Sequence, residues 1–174
     1  MPEENSKNQY WLTKVEPLEG ESISHFLGRF RRARGNRFSA ASGLGQVVGL
    51  GAVLARWEKF YFNPFPIQQE LEALAEIVMV DVDRLRLMFL PEGTTMKCKP
   101  TLLCAACYQE EPYHRIEWQF KNKRGCDRHN VRFLAKCINC GTAFLIPSQW
   151  EIGECQHCGL QFEKMAKHQN KFKY

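Results

Sequence analysis

Eight potential metal ligands form four closely spaced pairs in the second half of the chain. Two residues separate the members of each pair, and the pairs are Cys104/Cys107, Cys126/His129, Cys137/Cys140 and Cys155/Cys158. A CxxC turn presents two thiolates to one ion, and Zn²⁺ takes four nitrogen or sulfur ligands in a tetrahedron. Four pairs complete two tetrahedral sets, so the sequence predicts two bound zinc ions.

The order of the pairs allows two ways of combining them. Sequential pairing gives one site of three cysteines and a histidine and one site of four cysteines, whereas a cross-braced pairing, as in RING-type domains, joins the first pair to the third. Seven residues separate His129 from Cys137, a longer gap than RING-type domains usually have, and this favours sequential pairing. In both cases protein ligands fill every coordination position, which is typical of structural zinc.

Motifs for catalysis or nucleotide binding do not accompany these ligands. The nucleobase deaminases combine HxE with PCxxC, but here Pro100 is not adjacent to Cys104 and no HxE occurs. The sequence also lacks HExxH, GxxxxGK[ST] and GxSxG. We therefore expect a binding protein rather than an enzyme, with Cys98 left over as a free thiol.

Composition indicates a folded cytoplasmic protein with one basic half. Of the 174 residues, 44% are hydrophobic, and no apolar run reaches the roughly 18 residues of a membrane span. The polar, acidic N-terminal residues do not resemble a secretory signal. Residues 1–95 hold 11 Lys/Arg and 12 Asp/Glu, whereas residues 96–174 hold 13 and 7. This asymmetry favours a polyanionic partner on the second half.

Hydrophobic spacing predicts short helices in the first half. Ile23, Phe26, Leu27 and Phe30 form one apolar stripe, which predicts a helix over 22–34 that Ser22 caps. A weak glycine-rich helix follows Ser39, and another is predicted over 52–61. Between residues 67 and 90, two short helices separated by a tight turn indicate a helix-turn-helix, with Asp81 as the second cap.

The predicted fold is mainly α with small β. An N-terminal helical helix-turn-helix domain is followed by a tandem zinc-ribbon or zinc-finger module. The predicted units are an extended arm (1–20), a helical domain (21–95), a tandem zinc-binding domain (96–163) and a basic C-terminal tail (164–174).

Two groups of basic residues are candidates for contact with a nucleic acid or another partner. Arginine and lysine at such density favour phosphate. The first group lies in and after the first helix, and the second lies in the first zinc loop: Arg29, Arg31, Arg32, Arg34 and Arg37, then Lys121, Lys123, Arg124 and Arg128. Trp118, just before the second group, either packs over the zinc site or stacks on bases.

Three stretches of this sequence resemble the TniQ family. They are EPLEGESISHFLGRFRRARG, ALAEIVMVDVDRLRLMFLP and the CxxC…CxxH…CxxC set, and together the resemblance covers roughly residues 15–160. The first ligand pair reads CAAC, where family members often have CPxC. The length is similar to that of the short forms found with CRISPR-associated transposons of the V-K type.

The resemblance implies a non-catalytic adaptor in RNA-guided DNA transposition. Such a protein links a target-recognition complex of CRISPR effector and guide RNA to the AAA+ ATPase TnsC on target DNA. It also implies that the eight Cys and His residues of the four pairs match the family's metal positions. An alternative that the predicted elements also allow is a DNA-binding transcription regulator with a helix-turn-helix and a zinc ribbon.

Overall fold

The computed structural model describes residues 11–172 and is mainly helical, with one small two-stranded sheet. The α-helices are α1 (Ile23–Arg32), α2 (Ala41–Val48), α3 (Val53–Glu58), α4 (Gln68–Val78), α5 (Val82–Arg86) and α6 (Ala105–Glu110). Three 3₁₀ helices span Ile116–Gln119, Pro147–Gln149 and Phe162–His168. Strands β1 (Gly125–Cys126) and β2 (Val131–Arg132) pair antiparallel, with Cys126 opposite Val131. Among these residues, no helix has the length and hydropathy needed to cross a bilayer.

Helix α1 is the centre of the first half. Its four predicted core residues are fully buried, and the Ser22 side chain caps it by accepting a hydrogen bond from His25 N at 3.3 Å. The helix is shorter than the predicted 22–34. Its last turn closes where Ala33 N donates to the carbonyls of Arg29 and Phe30, and Gly35 lies beyond it with φ 102°.

Helices α2 and α3 pack against α1, α4 packs against α2 and α5, and all five helices contribute buried residues to one core. Trp57 on α3 meets Phe89 edge-to-face, with ring centroids 5.0 Å apart. Asp81 caps α5 as predicted, since its side chain accepts a hydrogen bond from Asp83 N at 2.8 Å. Three residues, including Met79 in the left-handed conformation, join α4 to α5. This turn lets both helices bury their leucines in the same core.

A second core fills the metal-binding half. Trp118, Trp150 and Phe162 are buried there, so Trp118 packs inside the protein and is not available to stack on bases. Residues 164–172 do not form the separate tail that the sequence suggested. The 3₁₀ helix Phe162–His168 packs against α6, and Met165 on its apolar face is completely buried, because removing apolar surface from water is favourable. Residues 1–10, 173 and 174 lie outside the described part.

The two halves are joined by a seam, in which hydrogen bonds and close packing connect α1 and its cap to residues of the metal-binding half. Ser22 N donates to His114 O at 3.0 Å, and the Ser22 hydroxyl lies 2.9 Å from His114 Nδ1. On the next turns of α1, Ser148 N donates to Ser24 Oγ at 3.1 Å, and Arg32 donates to Ser148 O. The predicted boundary near residue 95 therefore separates two cores but not two independent bodies.

Gly28 allows the closest approach across this seam. A Cβ built on Gly28 would lie 2.6 Å from Ser148 Cα and nearer still to the Ser148 carbonyl oxygen. Both of those atoms belong to the backbone, so they cannot rotate away. The 3₁₀ helix Pro147–Gln149 can lie against α1 because residue 28 has no side chain.

We predict that Gly28→Ala destabilises the protein by about 1–3 kcal/mol, because the added methyl overpacks the seam. Gly43→Ala is the matched control. It is also a helical glycine, but its Cβ would meet only the Phe38 ring at 3.4 Å, so helix propensity should make it neutral or stabilising by up to about 1 kcal/mol. Urea unfolding followed by circular dichroism measures both. Equal stability of the two variants would contradict the role given to Gly28.

Candidate metal centre

The first ligand set brings Cys104, Cys107, Cys126 and His129 together. Cys107 Sγ lies 3.4 Å from Cys126 Sγ and 3.3 Å from His129 Nδ1, and all four ligand atoms are within 4.8 Å of one another. Zn–S bonds of about 2.3 Å in a tetrahedron separate two sulfurs by about 3.8 Å. The spacing therefore suits one tetrahedrally coordinated ion.

Local structure presents these four ligands from two directions. Cys104 caps α6 and Cys107 lies in its first turn, where Cys107 N points at Cys104 Sγ at 3.5 Å. Cys126 and His129 come from the hairpin of β1 and β2, which Asn130 turns with φ 52°. The start of α6 and the hairpin of β1 and β2 thus each supply two of the four ligands.

The first site has an outer partner that the sequence did not identify. His129 Nε2 lies 2.8 Å from Glu110 Oε1, and Arg128 Nη2 donates to the other oxygen of Glu110 at 2.9 Å. A ligating histidine usually gives its second nitrogen to a carboxylate, which orients the ring. Glu110 is therefore placed to accept a hydrogen bond from Nε2–H of His129, which would leave Nδ1 free to bind a metal ion.

The second ligand set contains Cys137, Cys140, Cys155 and Cys158. Cys137 Sγ lies 3.6 Å from Cys158 Sγ, and Cys140 Sγ lies 3.5 Å from Cys155 Sγ. A glycine with positive φ follows each pair, Gly141 at 73° and Gly159 at 69°. The N–H of each glycine donates a hydrogen bond to the carbonyl of the first cysteine of its pair, Cys137 or Cys155. Two similar turns therefore face each other across one ion-sized space.

These distances confirm two groups of four ligands that could each hold a metal ion, combined sequentially. Cys98 belongs to neither group, and its thiol donates to Phe60 O at 3.3 Å. Both sites are closed by protein ligands, so they suit an ion that stabilises the fold. No protein-family model matches the chain, and no curated protein is significantly similar to it.

Gln169 also supports the first site from an unexpected position. Its side chain is buried, with Oε1 accepting from Ala106 N at 3.3 Å and Nε2 donating to Arg132 O at 2.7 Å. It thereby connects the two structural units that carry the ligands. Sequence reasoning placed this residue in a tail, since nothing local in KMAKHQNKFKY indicates a contact with α6.

The structure separates the first group of arginines into internal and exposed members. Arg31 is buried and forms a two-pronged ion pair with Glu58, at 2.8 and 3.0 Å. Arg32 spans the seam to Ser148 O, and Arg29 pairs with Glu21. Arg31 is therefore not available for a nucleic acid, and Arg29 and Arg32 are half-buried and bound to acceptors of the protein itself. Arg34 and Arg37 are exposed.

Glu21, His25 and Arg29 form a buried charged cluster that the sequence did not reveal. Glu21 is fully buried and accepts two hydrogen bonds from Arg29, at 2.8 and 2.7 Å. Burial raises the pKa of the Glu21 carboxyl, but the bonds from Arg29 and His25 outweigh burial and hold that pKa below its ordinary value. Burial lowers the pKa of His25, because it disfavours the charged imidazolium, and His25 Nδ1 lies 2.6 Å from Glu21 Oε1.

The second group of basic residues is divided in the same way. Lys123 pairs with Glu117 and Asp127, and Arg128 pairs with Glu110. Lys121 and Arg124 are exposed, and Arg128 is exposed as well, although it pairs with Glu110. Two further exposed basic residues lie on β2 and just after the last 3₁₀ helix, Arg132 and Lys171. The exposed residues, not the whole group, are the candidates for partner contact.

Metal content provides the first test of the two sites. We expect two metal ions per chain by elemental analysis, and the same number in Cys98→Ser, because Cys98 lies outside both ligand groups. Cys137→Ser/Cys140→Ser should bind one ion and lose much of its tertiary structure, because folding of such sites depends on the metal. A double variant that retains two ions would exclude the four-cysteine site.

The buried cluster provides the second test. Arg29→Ala should destabilise the protein by about 3 kcal/mol, because it leaves the Glu21 charge buried without its strongest partner. Arg34→Ala, on the exposed end of the same segment, should change the free energy of unfolding by less than about 0.5 kcal/mol. Chemical denaturation of both variants measures this difference. If Arg29→Ala changed the free energy of unfolding as little as Arg34→Ala, the role given to Arg29 in the buried cluster would be wrong.

Proposed function

We propose that this protein is a non-catalytic adaptor in RNA-guided DNA transposition. In this role it links a CRISPR effector–guide RNA complex to the AAA+ regulator TnsC on target DNA. The observation that carries the proposal is the closure of both metal sites, which leaves no open coordination position for catalysis at these ions and favours recognition by the protein surface. The three stretches that resemble the TniQ family support this choice among binding functions.

We further propose that both ions are Zn²⁺. Four thiolates, or three thiolates and an imidazole, are the donors that structural zinc prefers. Sulfur separations of 3.4 to 3.6 Å are close to those of a tetrahedral zinc–thiolate site. The hydrogen bond between His129 and Glu110 is the usual support for a zinc-bound imidazole.

The proposed nucleic-acid contact is a basic surface beside the first metal site, formed by Lys121, Arg124, Arg132, Lys171 and Phe172. The four cationic side chains are exposed and can neutralise phosphates. The Arg132 guanidinium lies 6.0 Å from the Phe172 ring centroid, which offers an aromatic and a planar cationic face for a base. The hydrogen bond from Arg132 N to Asn170 O, at 2.7 Å, holds this group in place.

The packed seam supports an adaptor mechanism. An adaptor gains affinity when two modest contacts are made by one molecule, because the first contact raises the effective concentration of the second. That gain is largest when the two surfaces are held at a fixed separation. Contacts such as Ser22 to His114 and Ser148 to Ser24 hold the helical half against the metal-binding half, so a partner bound to the helical half would keep a fixed distance from the basic surface beside the first metal site.

The helix-turn-helix transcription regulator is the second candidate, and the short connection between α4 and α5 is the feature that favours it. However, α5 has five residues, about one and a half turns, which is a short element with which to read a major groove. Its arginines are also engaged, Arg84 with Glu16 and Arg86 with Gln68. We therefore keep the adaptor as the preferred function.

Co-sedimentation with TnsC tests the adaptor proposal. We expect the protein to pellet with TnsC on DNA when ATP is present and to recruit the effector–guide RNA complex to that pellet. Lys121→Glu/Arg124→Glu should weaken binding to an RNA or DNA oligonucleotide by about tenfold or more at low salt, because it reverses two phosphate contacts. Lys164→Glu/Lys167→Glu changes the net charge equally and should leave oligonucleotide binding within about twofold.

Two results would reject the proposal. One is co-sedimentation that does not depend on ATP or on TnsC. The other is a footprint on a defined operator sequence by the protein alone, which would favour the transcription regulator. Oligonucleotide binding that falls equally in both charge-reversal variants would show that the contact is unspecific attraction to a basic protein.

A further inference from the structure

A groove of about 790 Å³ lies between the second metal site and the last 3₁₀ helix. Ile138 and Leu160 supply apolar surface, and Ile138 is 38% exposed although it follows a metal ligand directly. The opposite wall carries Lys164, Lys167 and His168, whose side chains are exposed. The groove therefore combines an unpartnered apolar floor with a basic rim.

The charge of this groove favours an acidic occupant. Of the described residues that line it, two are lysines and none is a carboxylate. The thiolates of the metal site add negative charge, and Cys158, which lines the groove, is exposed, whereas Cys137 and Cys155 are buried. The two exposed lysines nevertheless give the groove a positive rim, which attracts an acidic partner.

The floor of the groove favours a peptide over a nucleic acid. Bases bind single-strand surfaces mainly by stacking on aromatic rings, and the described residues that line this groove include His168 but no Phe, Tyr or Trp. Ile138 and Leu160 instead offer contact to an aliphatic or aromatic side chain of a protein. The basic surface around Phe172 has the opposite character, so the two basic regions differ in the partner that they suit.

The groove is also rigid, which reduces the entropic cost of binding. Cys155 N donates to Leu160 O at 2.9 Å, and Gly159 N donates to Cys155 O at 2.9 Å, so the turn that carries Leu160 is fixed. The lysine wall is fixed from behind, because Phe162 and Met165 on the same 3₁₀ helix are fully buried. Both walls are thus held by the core that surrounds the second metal site.

We propose that this groove binds a short acidic peptide segment of a protein partner, with one apolar side chain of that segment against Ile138 and Leu160. The proposal deepens the adaptor function and rests on it for the existence of a protein partner. Acidic side chains of the segment contact Lys164 and Lys167. The same segment covers Cys158, the exposed ligand of the second metal site.

A random peptide library displayed on phage, selected against the full-length metal-loaded protein, tests this assignment without TnsC or any transposition assay. We expect enriched sequences that contain Asp or Glu flanking an apolar residue. A labelled synthetic peptide of that consensus should bind about tenfold more weakly to Lys164→Glu/Lys167→Glu, because two attractive contacts become repulsive. The matched control, Lys121→Glu/Arg124→Glu, should keep its affinity within about twofold.

A second measurement reports on the groove itself. The bound peptide should slow the removal of one of the two metal ions by EDTA, because it covers Cys158. Enrichment of neutral or basic peptides, no enrichment, or equal affinity for the two variants would overturn the proposal. It would also be overturned if a single-stranded RNA displaced the peptide and lost its own affinity in Lys164→Glu/Lys167→Glu. Because TnsC is absent, none of these outcomes depends on the adaptor assay.

Discussion

Two groups of four cysteine and histidine ligands, which could each hold a metal ion, are the feature on which the second half of the protein depends. As far as residue 172, this half contains one α-helix of six residues, two strands of two residues each and three 3₁₀ helices of three to seven residues. Elements of that length do not persist alone, because a short helix or hairpin has too few hydrogen bonds to offset its loss of entropy. The ligand sets close the remaining loops around the Trp118 and Phe162 core. Without an ion, no bond would hold the buried thiols of Cys107 and Cys126 together, and this half would lose much of its stability.

The influence of the metal sites extends into the helical half through α1. The first site is connected through the Ile116–Gln119 region to His114, which meets Ser22 at the start of α1. The segment between Cys140 and Cys155 contributes Ser148, which lies against Gly28. Ser22 therefore acts twice, as the cap of α1 and as a contact to His114. A residue with both roles couples helix formation to docking, so the folding of one half stabilises the other.

Sequence reasoning succeeded where the determining contacts are local. Ligand spacing, the stripe from Ile23 to Phe30, and the caps at Ser22 and Asp81 each follow from residues a few positions apart. It failed where a contact joins distant residues. The hydrogen bonds of Glu21 to His25 and Arg29 are local, but the cluster is buried against the second half, where the ring centroids of His25 and Tyr113 are 6.4 Å apart, and no local pattern shows that packing. Met165 and Gln169 are buried against residues far earlier in the chain, since Gln169 accepts a hydrogen bond from Ala106 N, 63 positions earlier. The basic composition of the last residues gave no sign of this packing.

The arginines show why density of charge alone is a weak guide to a binding surface. A guanidinium has five donors in a plane, so it can join a carboxylate or a carbonyl in the interior as well as a phosphate outside. Arg31 with Glu58 and Arg32 with Ser148 use this property to hold the fold. The contact surfaces must then come from cations that no internal acceptor engages. By that criterion the basic surface near Phe172 and the lysine wall beside Ile138 are separate regions, each with its own neighbouring chemistry. A single rigid body that offers two such different surfaces is suited to joining two different partners.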